Sequence, residues 1–133
     1  MIKVAVGIIL KDKKILLCQR KKDARYGLKW EFPGGKIESN EIETDCLKRE
    51  LFEELSIDAK IGKLFHTQKW IYEDSGEFNI DYFLVEDFSG EIINNAFEKI
   101  EWIEISELKN YDTLEGNKEV VFKLQNKPLS TPL

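Results

Sequence analysis

Histidine and cysteine are nearly missing from the 133 residues: His66 stands alone, and Cys18 and Cys46 are the only thiols. A zinc site needs several such ligands at close spacing, so zinc chemistry is excluded. Two isolated cysteines do not make a disulfide framework either, and a chain of this length buries an adequate core without one. Long apolar runs are also lacking. The most apolar stretch, Val4 to Leu10, is too short to cross a bilayer and carries no small-residue cleavage site. Those absences lead to the expectation of a reduced, cytoplasmic protein with no membrane partner. Positive charge is in deficit, with 20 Lys and Arg against 25 Asp and Glu and a net charge of −5. The surface therefore has no electrostatic reason to hold long nucleic acid, and a protein of this charge that handles phosphates needs cations.

What is present is ordinary globular material, 42% hydrophobic and 34% charged residues, with no repeat or linker to divide it. We expect one domain over 1–126 and a frayed tail over 127–133, where two prolines fall. Val4, Val6, Ile8 and Leu10 alternate with Lys3, Ala5, Gly7 and Ile9, the period of a strand with one heavily apolar face. Residues 11–14 turn, and Ile15 to Arg20 returns as the second strand of a hairpin. A polar loop over 21–29 leads to a short strand at Trp30 to Phe32, which Pro33, Gly34 and Gly35 stop.

From about Glu43 to Leu55 the period becomes helical, with Leu47, Leu51 and Leu55 at i, i+4 and i+8. Asn40 and Thr44 are the two candidates for its N-cap. Strands follow over 57–71 and 78–85, joined by a turn at Asp74-Ser75-Gly76, then a last strand over 100–105. A closing helix over 117–125 turns Val120, Val121 and Leu124 inward. This order fits a mixed sheet between helices, an α+β fold of α/β/α sandwich type.

The stretch from Gly35 to Ile57, GKIESNEIETDCLKRELFEELSI, carries the chemistry. About 100 degrees of rotation per residue puts Glu50, Glu53 and Glu54 in one sector beside the leucine stripe. Like charges at these spacings repel by a few tenths of a kcal/mol per pair, or roughly so, on an exposed helix, and by more where desolvated. A hard divalent cation offsets that repulsion, since magnesium takes oxygen ligands and bridges carboxylates to phosphates. A solvated acidic face is the blander alternative, and the helix alone does not decide between them. The preceding Pro33-Gly34-Gly35 does: glycines let a backbone carbonyl or amide approach a metal or phosphate unobstructed. Arg49, on the same helix, has a guanidinium suited to bracing a carboxylate.

This segment resembles the Nudix box. Gly35, Glu41, Arg49, Glu50, Leu51, Glu53, Glu54 and Ile57 all fall on its pattern, and Ser56 stands where the family has a second glycine, at an αL position ending the helix. The resemblance implies the Nudix fold and a metal-dependent hydrolysis of a diphosphate linkage in a nucleotide. It implies Glu50, Glu53 and Glu54 as metal-binding and catalytic carboxylates, Gly35 lending its carbonyl, and Arg49 orienting them. Which of Glu53 and Glu54 takes the proton from water stays open. Glu41 is expected to support the loop or an outer metal. Magnesium is the expected ion, with manganese as the alternative.

Beyond the box, the openings KVAVGII and WEFPGGKIE and the late EWIEI followed by Asn117 are similar to the MutT type, the 8-oxo-dGTP diphosphatases. That likeness makes Glu101 a further metal-ligand candidate and implies a small-molecule nucleotide partner for a monomer or homodimer. Arg20, Glu31, Phe32, Phe78 and Asn117 are the substrate-binding candidates. Several have plainer alternatives: Arg20 a surface cation, Asn117 a helix cap, Glu101 a solvated acid, and Phe78, with Tyr82 and Trp30 as further candidates for stacking on a base, a core aromatic. Ala5 and Gly7 leave either room for a flat base or room for a packed helix. Pyrophosphohydrolases acting on CTP share much of this pattern. ADP-ribose hydrolysis, a non-catalytic nucleotide sensor and a purely structural domain are the remaining alternatives.

Overall fold

A computed structural model of the chain describes residues 1–126; the expected frayed tail lies outside the described residues. Strand β1 (Ile2–Lys11) is the axis of the molecule. Asp12 and Lys13, both at positive φ (52° and 66°), make the two-residue turn that returns the chain as β2 (Lys14–Gln19), since a turn of that hand matches the twist of the paired strands. A short β3 (Trp30–Glu31) pairs with β2. The long hairpin of β5 (Asp58–Tyr72) and β6 (Gly76–Ser89) turns at Asp74-Ser75-Gly76 as expected, with Gly76 at φ 88°. Strand β6 lies parallel to β1 in the register Ile2 with Phe78 through Ile9 with Val85. Strand β7 (Lys99–Glu104) pairs with β2.

Pro33-Gly34-Gly35 does not simply stop a strand. Gly34–Lys36 forms β4, antiparallel to β1, with Ala5 opposite Gly35 and Val6 opposite Gly34. Gly34 adopts φ 155°, and a Cβ there would stand 2.8 Å from the Val6 Cα, so only glycine permits this approach. Helix α1 (Glu43–Leu55) has the expected bounds, but neither Asn40 nor Thr44 caps it. Ile42 is the N-cap and offers no side-chain bond; Asn40 is spent in the preceding loop at φ 65°, and Thr44 is already inside the helix. Acidic Glu43 and Asp45 in the first turn answer the positive end of the helix instead.

Packing, rather than capping, fixes α1. Leu47, Leu51 and Leu55 are completely buried, each contributing roughly 2 kcal/mol. They lie on one face of the sheet with Ala5, Ile9, Phe83 and Val85. The opposite face, with Val6, Ile8, Ile80, Tyr82 and Leu84, is covered by Leu108 from a 3₁₀ turn (Ile105–Asn110) and by helix α2 (Lys118–Asn126) through Val120, Val121 and Leu124. Strand β1 thus buries both faces, not one. The small residues of β1 prove to serve helix packing: a Cβ on Gly7 would meet Val85 at 3.2 Å and Leu51 at 3.5 Å.

Ser56 ends α1 in the αL conformation (φ 59°), its N–H donating to Phe52. For a non-glycine residue this backbone costs about 1 kcal/mol. Ser56 offsets part of it, because its hydroxyl oxygen accepts a bond from Asn95 Nδ2 at 2.8 Å. The same segment caps the helix: the Ile93 and Asn95 N–H groups donate to the carbonyls of Leu55 and Glu54. We therefore expect Ser56→Gly alone to shift stability by less than about 0.5 kcal/mol, and the same change in an Asn95→Ala background to stabilise by about 1 kcal/mol. Denaturant melts of the four proteins check this; equal effects in both backgrounds would mean the bond contributes nothing.

Candidate functional site

A cavity of about 470 Å³ opens on the α2 side of the sheet. Alternation along β1 turns Val4 and Val6 into it while Ala5 and Gly7 face α1, and the parallel register sets Ile80 beside Val4. Val4, Val6, Phe78 and Ile80 make an apolar floor. Gly34, Gly35 and Glu54, the first and last joined by a hydrogen bond, line it together with Leu114 and Asn117. Pockets of this kind, mostly apolar with a few convergent polar groups, suit a small molecule with one flat apolar part and one polar part.

The acidic end is organised by Arg49. Its Nε and Nη2 grip Glu41 at 2.7 and 3.0 Å, and its Nη1 reaches Glu50 at 3.0 Å and Glu53 at 3.3 Å. The guanidinium holds the Glu41 carboxyl down to about 2, helped by the N–H of Glu38. Glu41 is thereby the brace of the loop, as its position suggested. Glu53 is the most solvent-facing of the three helix carboxylates, its side chain 55% exposed. Glu54 turns inward and accepts a bond from the Gly34 N–H at 3.1 Å. Burial, then the nearby Glu50 and Glu31 charges, push its carboxyl up to about 8. Glu50 is also raised, chiefly by burial, despite Arg49.

Among the described residues, no three His, Cys, Asp or Glu side chains already stand together as an ion cage. Glu50, Glu53 and Glu54 are adjacent but do not converge: Arg49 draws Glu50 and Glu53, and Glu54 leans on Gly34. The donor set nonetheless fits a hard divalent cation. It is all oxygen, it sits at the negative end of a helix with no basic residue in its last turn, and among the described residues Glu54 has no positive partner. Gly35 runs close against the acidic group: a Cβ there would stand 2.6 Å from both Glu50 carboxylate oxygens, so a side chain at this position would make the Glu50 carboxylate shift. The Gly35 carbonyl is faced by Cys46 Sγ at 3.8 Å, a weak contact that an ion would displace.

The expected nucleotide contacts separate. Arg20 lines the cavity and donates to both Glu31 oxygens at 3.1 and 3.2 Å, its Nε to the Arg25 carbonyl at 2.7 Å. Burial raises the Glu31 carboxyl while Arg20 opposes the rise. Phe32, Phe78 and Asn117 line the same space. Trp30 instead stacks edgewise on Tyr111, and Tyr82 is core, edge-on to Phe32. Asn117 does not cap α2; it closes the 3₁₀ turn Glu115–Asn117 that precedes it. Glu101 stands outside the cavity lining, accepting a bond from the Tyr111 hydroxyl at 2.8 Å. Sequence reasoning overlooked Tyr72, whose hydroxyl accepts from the Gly116 N–H at 3.0 Å, and Arg25 and Tyr26 of the polar loop. An aromatic next to a hairpin turn was the available signal for Tyr72; the loop residues had none.

The sequence profile of the NUDIX domain matches residues 1–124. The chain belongs to the NUDIX family. It is a Nudix hydrolase, and enzymes of this family generally use a divalent metal ion. It is similar to the 8-oxo-dGTP diphosphatase of Buchnera aphidicola subsp. Schizaphis graminum, 31% identical over 92% of this chain and 92% of that protein. It is also similar to the CTP pyrophosphohydrolase of Escherichia coli, 36% identical over 84% of this chain and 82% of that one. Among solved structures, the E. coli ORF135 protein superposes with a TM-score of 0.85 at 28% identity, covering 98% of this chain and 95% of that one. Among the described residues of this Nudix hydrolase, no helix is long and apolar enough to cross a membrane.

Glu54 makes stability depend on pH in a definite direction. Its folded carboxyl titrates near 8 against an ordinary 4.5, so the folded state holds a proton that the unfolded chain releases. Its contribution is complete below pH 4.5 and is lost as pH rises through 8. In chelator, the wild type is expected to lose on the order of a few kcal/mol relative to Glu54→Gln between pH 5 and pH 9. Thermal melts across that range measure it, and parallel curves for the two proteins would contradict the assignment.

Proposed function

We propose that this Nudix hydrolase cleaves a nucleoside triphosphate to the monophosphate and pyrophosphate with magnesium, manganese being able to substitute, and that its substrate is an oxidised purine nucleotide such as 8-oxo-dGTP. One observation carries the reading: a single cavity joins the Gly34, Gly35 and Glu54 end to an apolar floor beside Asn117. Phosphates belong at the first and a base on the second. The similarity to a named 8-oxo-dGTP diphosphatase over nearly the whole of both chains agrees with it.

In this reading Gly35, Glu50, Glu53 and Glu54 hold the ion, which when bound neutralises phosphate charge and acidifies water. Glu101, outside the cavity lining, would reach the ion through the carboxylate oxygen that Tyr111 leaves free. The water oxygen bonds to phosphorus, the bridging oxygen leaves with pyrophosphate, and the proton of the water passes to one of Glu53 and Glu54 in its carboxylate form. Arg49 orients Glu50 and Glu53 without reacting. Arg20, paired with Glu31, faces the polar part of the nucleotide, and Phe32 and Phe78 flank the base. Unpaired thiols at Cys18 and Cys46 agree with a cytoplasmic location, and monomer and homodimer are both compatible with this pocket. A second reading, hydrolysis of CTP, is favoured by the 36% identity to the E. coli CTP pyrophosphohydrolase.

Catalytic efficiencies on 8-oxo-dGTP, dGTP, CTP and ADP-ribose with magnesium separate these readings. The highest value is expected for 8-oxo-dGTP; a maximum at CTP selects the second reading, and one at ADP-ribose overturns both. Glu53→Gln is expected to lower kcat by about 10²- to 10⁴-fold with an unchanged melting temperature. Turnover retained at saturating magnesium would remove Glu53 from the machinery.

A further inference from the structure

Asn117 reaches the cavity with a carboxamide that has an acceptor at one end and two N–H donors at the other, so its orientation decides which base edge it recognises. A second residue controls that orientation. Tyr82, on β6, is completely buried, with its ring edge-on to Phe32 at 6.3 Å and 5.8 Å from His66. Its hydroxyl has one proton and two acceptors within reach, Asn117 Oδ1 and, farther off at 3.3 Å, the Gly116 carbonyl. The nearer partner is Asn117. Burial also raises the Tyr82 hydroxyl above its ordinary range, so it stays a donor at every working pH. Asn117 Nδ2 has no hydrogen-bond partner among the described residues, and it is not sealed in, because Gln19 Oε1 is the one buried side-chain polar atom found there without a partner. Its free donors therefore open toward the cavity.

We propose that Tyr82 is a positioning residue that locks the Asn117 carboxamide with its oxygen inward and its amino group toward the base, so that the pocket selects an oxopurine, whose edge carries a carbonyl oxygen, over an aminopurine. The inference rests on the nucleotide reading above and sharpens it. With its oxygen turned inward to Tyr82, Asn117 presents N–H donors to the cavity, which a guanine-type O6 accepts and an adenine N6 amino group does not. Neither Tyr82 nor its bond touches the phosphate end, so the effect belongs in base discrimination and not in the chemical step.

The test uses the full chain with dGTP and dATP, in the wild type, Tyr82→Phe and Asn117→Asp. Tyr82→Phe keeps the ring and frees the carboxamide to rotate. It is expected to raise the KM for dGTP, leave kcat unchanged, and lower the dGTP to dATP ratio of kcat/KM by about five- to tenfold. Asn117→Asp, an acceptor without N–H donors, is expected to lower the ratio at least as far, and it keeps the idea testable should Tyr82→Phe fold poorly. A wild type that prefers dATP would show the amide turned the other way and overturn the proposal. So would a ratio that Tyr82→Phe leaves unmoved. Titration calorimetry with dGMP and dAMP tells this failure from failure of the hydrolase reading: a dGMP preference erased in Tyr82→Phe, in a chain that hydrolyses no triphosphate, upholds the lock and rejects the reaction.

Discussion

Carboxylates crowded at the negative end of one helix are the constraint to which the surrounding structure answers. Glu50, Glu53 and Glu54 occupy the last two turns of α1, where the helix dipole already disfavours anions and no basic side chain follows. Each neighbour serves to make that tolerable. Arg49 spreads one guanidinium over Glu41, Glu50 and Glu53, β4 brings the Gly34 N–H to Glu54, and the segment after β6 ties down the carbonyls of Glu54 and Leu55. Surface ion pairs of this kind contribute little to stability. Their effect is to hold the acidic groups side by side at modest cost.

The sheet lets two demands coexist. A strand alternates its side chains, so β1 gives α1 a face small enough for close packing and gives the cavity a floor of valines from the same residues in sequence. The acidic groups come from the helix side and the apolar floor of the cavity from the other. They meet because β4, built on two glycines, runs thinly between them along the edge of β1. Bulk at Gly35 would displace the Glu50 carboxylate, which already fills the space where a side chain would go.

How far this was legible in advance depends on the range of the interaction involved. The 3.6-residue spacing of Leu47, Leu51 and Leu55 located α1 to the residue, and the box pattern identified its acidic edge and the αL role of Ser56. Local glycine chemistry was misread where a partner strand changed its meaning: Gly34 and Gly35 look like a stop until β1 is seen beside them. Asn40 was a plausible cap by type, yet its place in a left-handed turn is dictated by the loop that Glu41 and Arg49 hold. The small residues Ala5 and Gly7 fitted two partners, and only the fold shows that the helix took them. Tyr82 fitted either a base or the core, and it is core, but its hydroxyl meets Asn117 across a separation in sequence that no periodicity reports. Arg25 and Tyr26 reach the cavity from a loop whose course depends on tertiary contacts alone.

The parallel pairing of β1 with β6 joins the start of the chain to a strand made only after more than half of it. During synthesis β1, β4 and α1 emerge first, but the apolar stripe of α1 packs with Phe83 and Val85, which do not yet exist as a surface. A nascent chain ending before Phe78 would therefore display both a bare strand edge and a greasy helix. Folding has to wait for a contact of high sequence separation, which slows it and leaves the unfinished polypeptide sticky to its neighbours on a crowded ribosome.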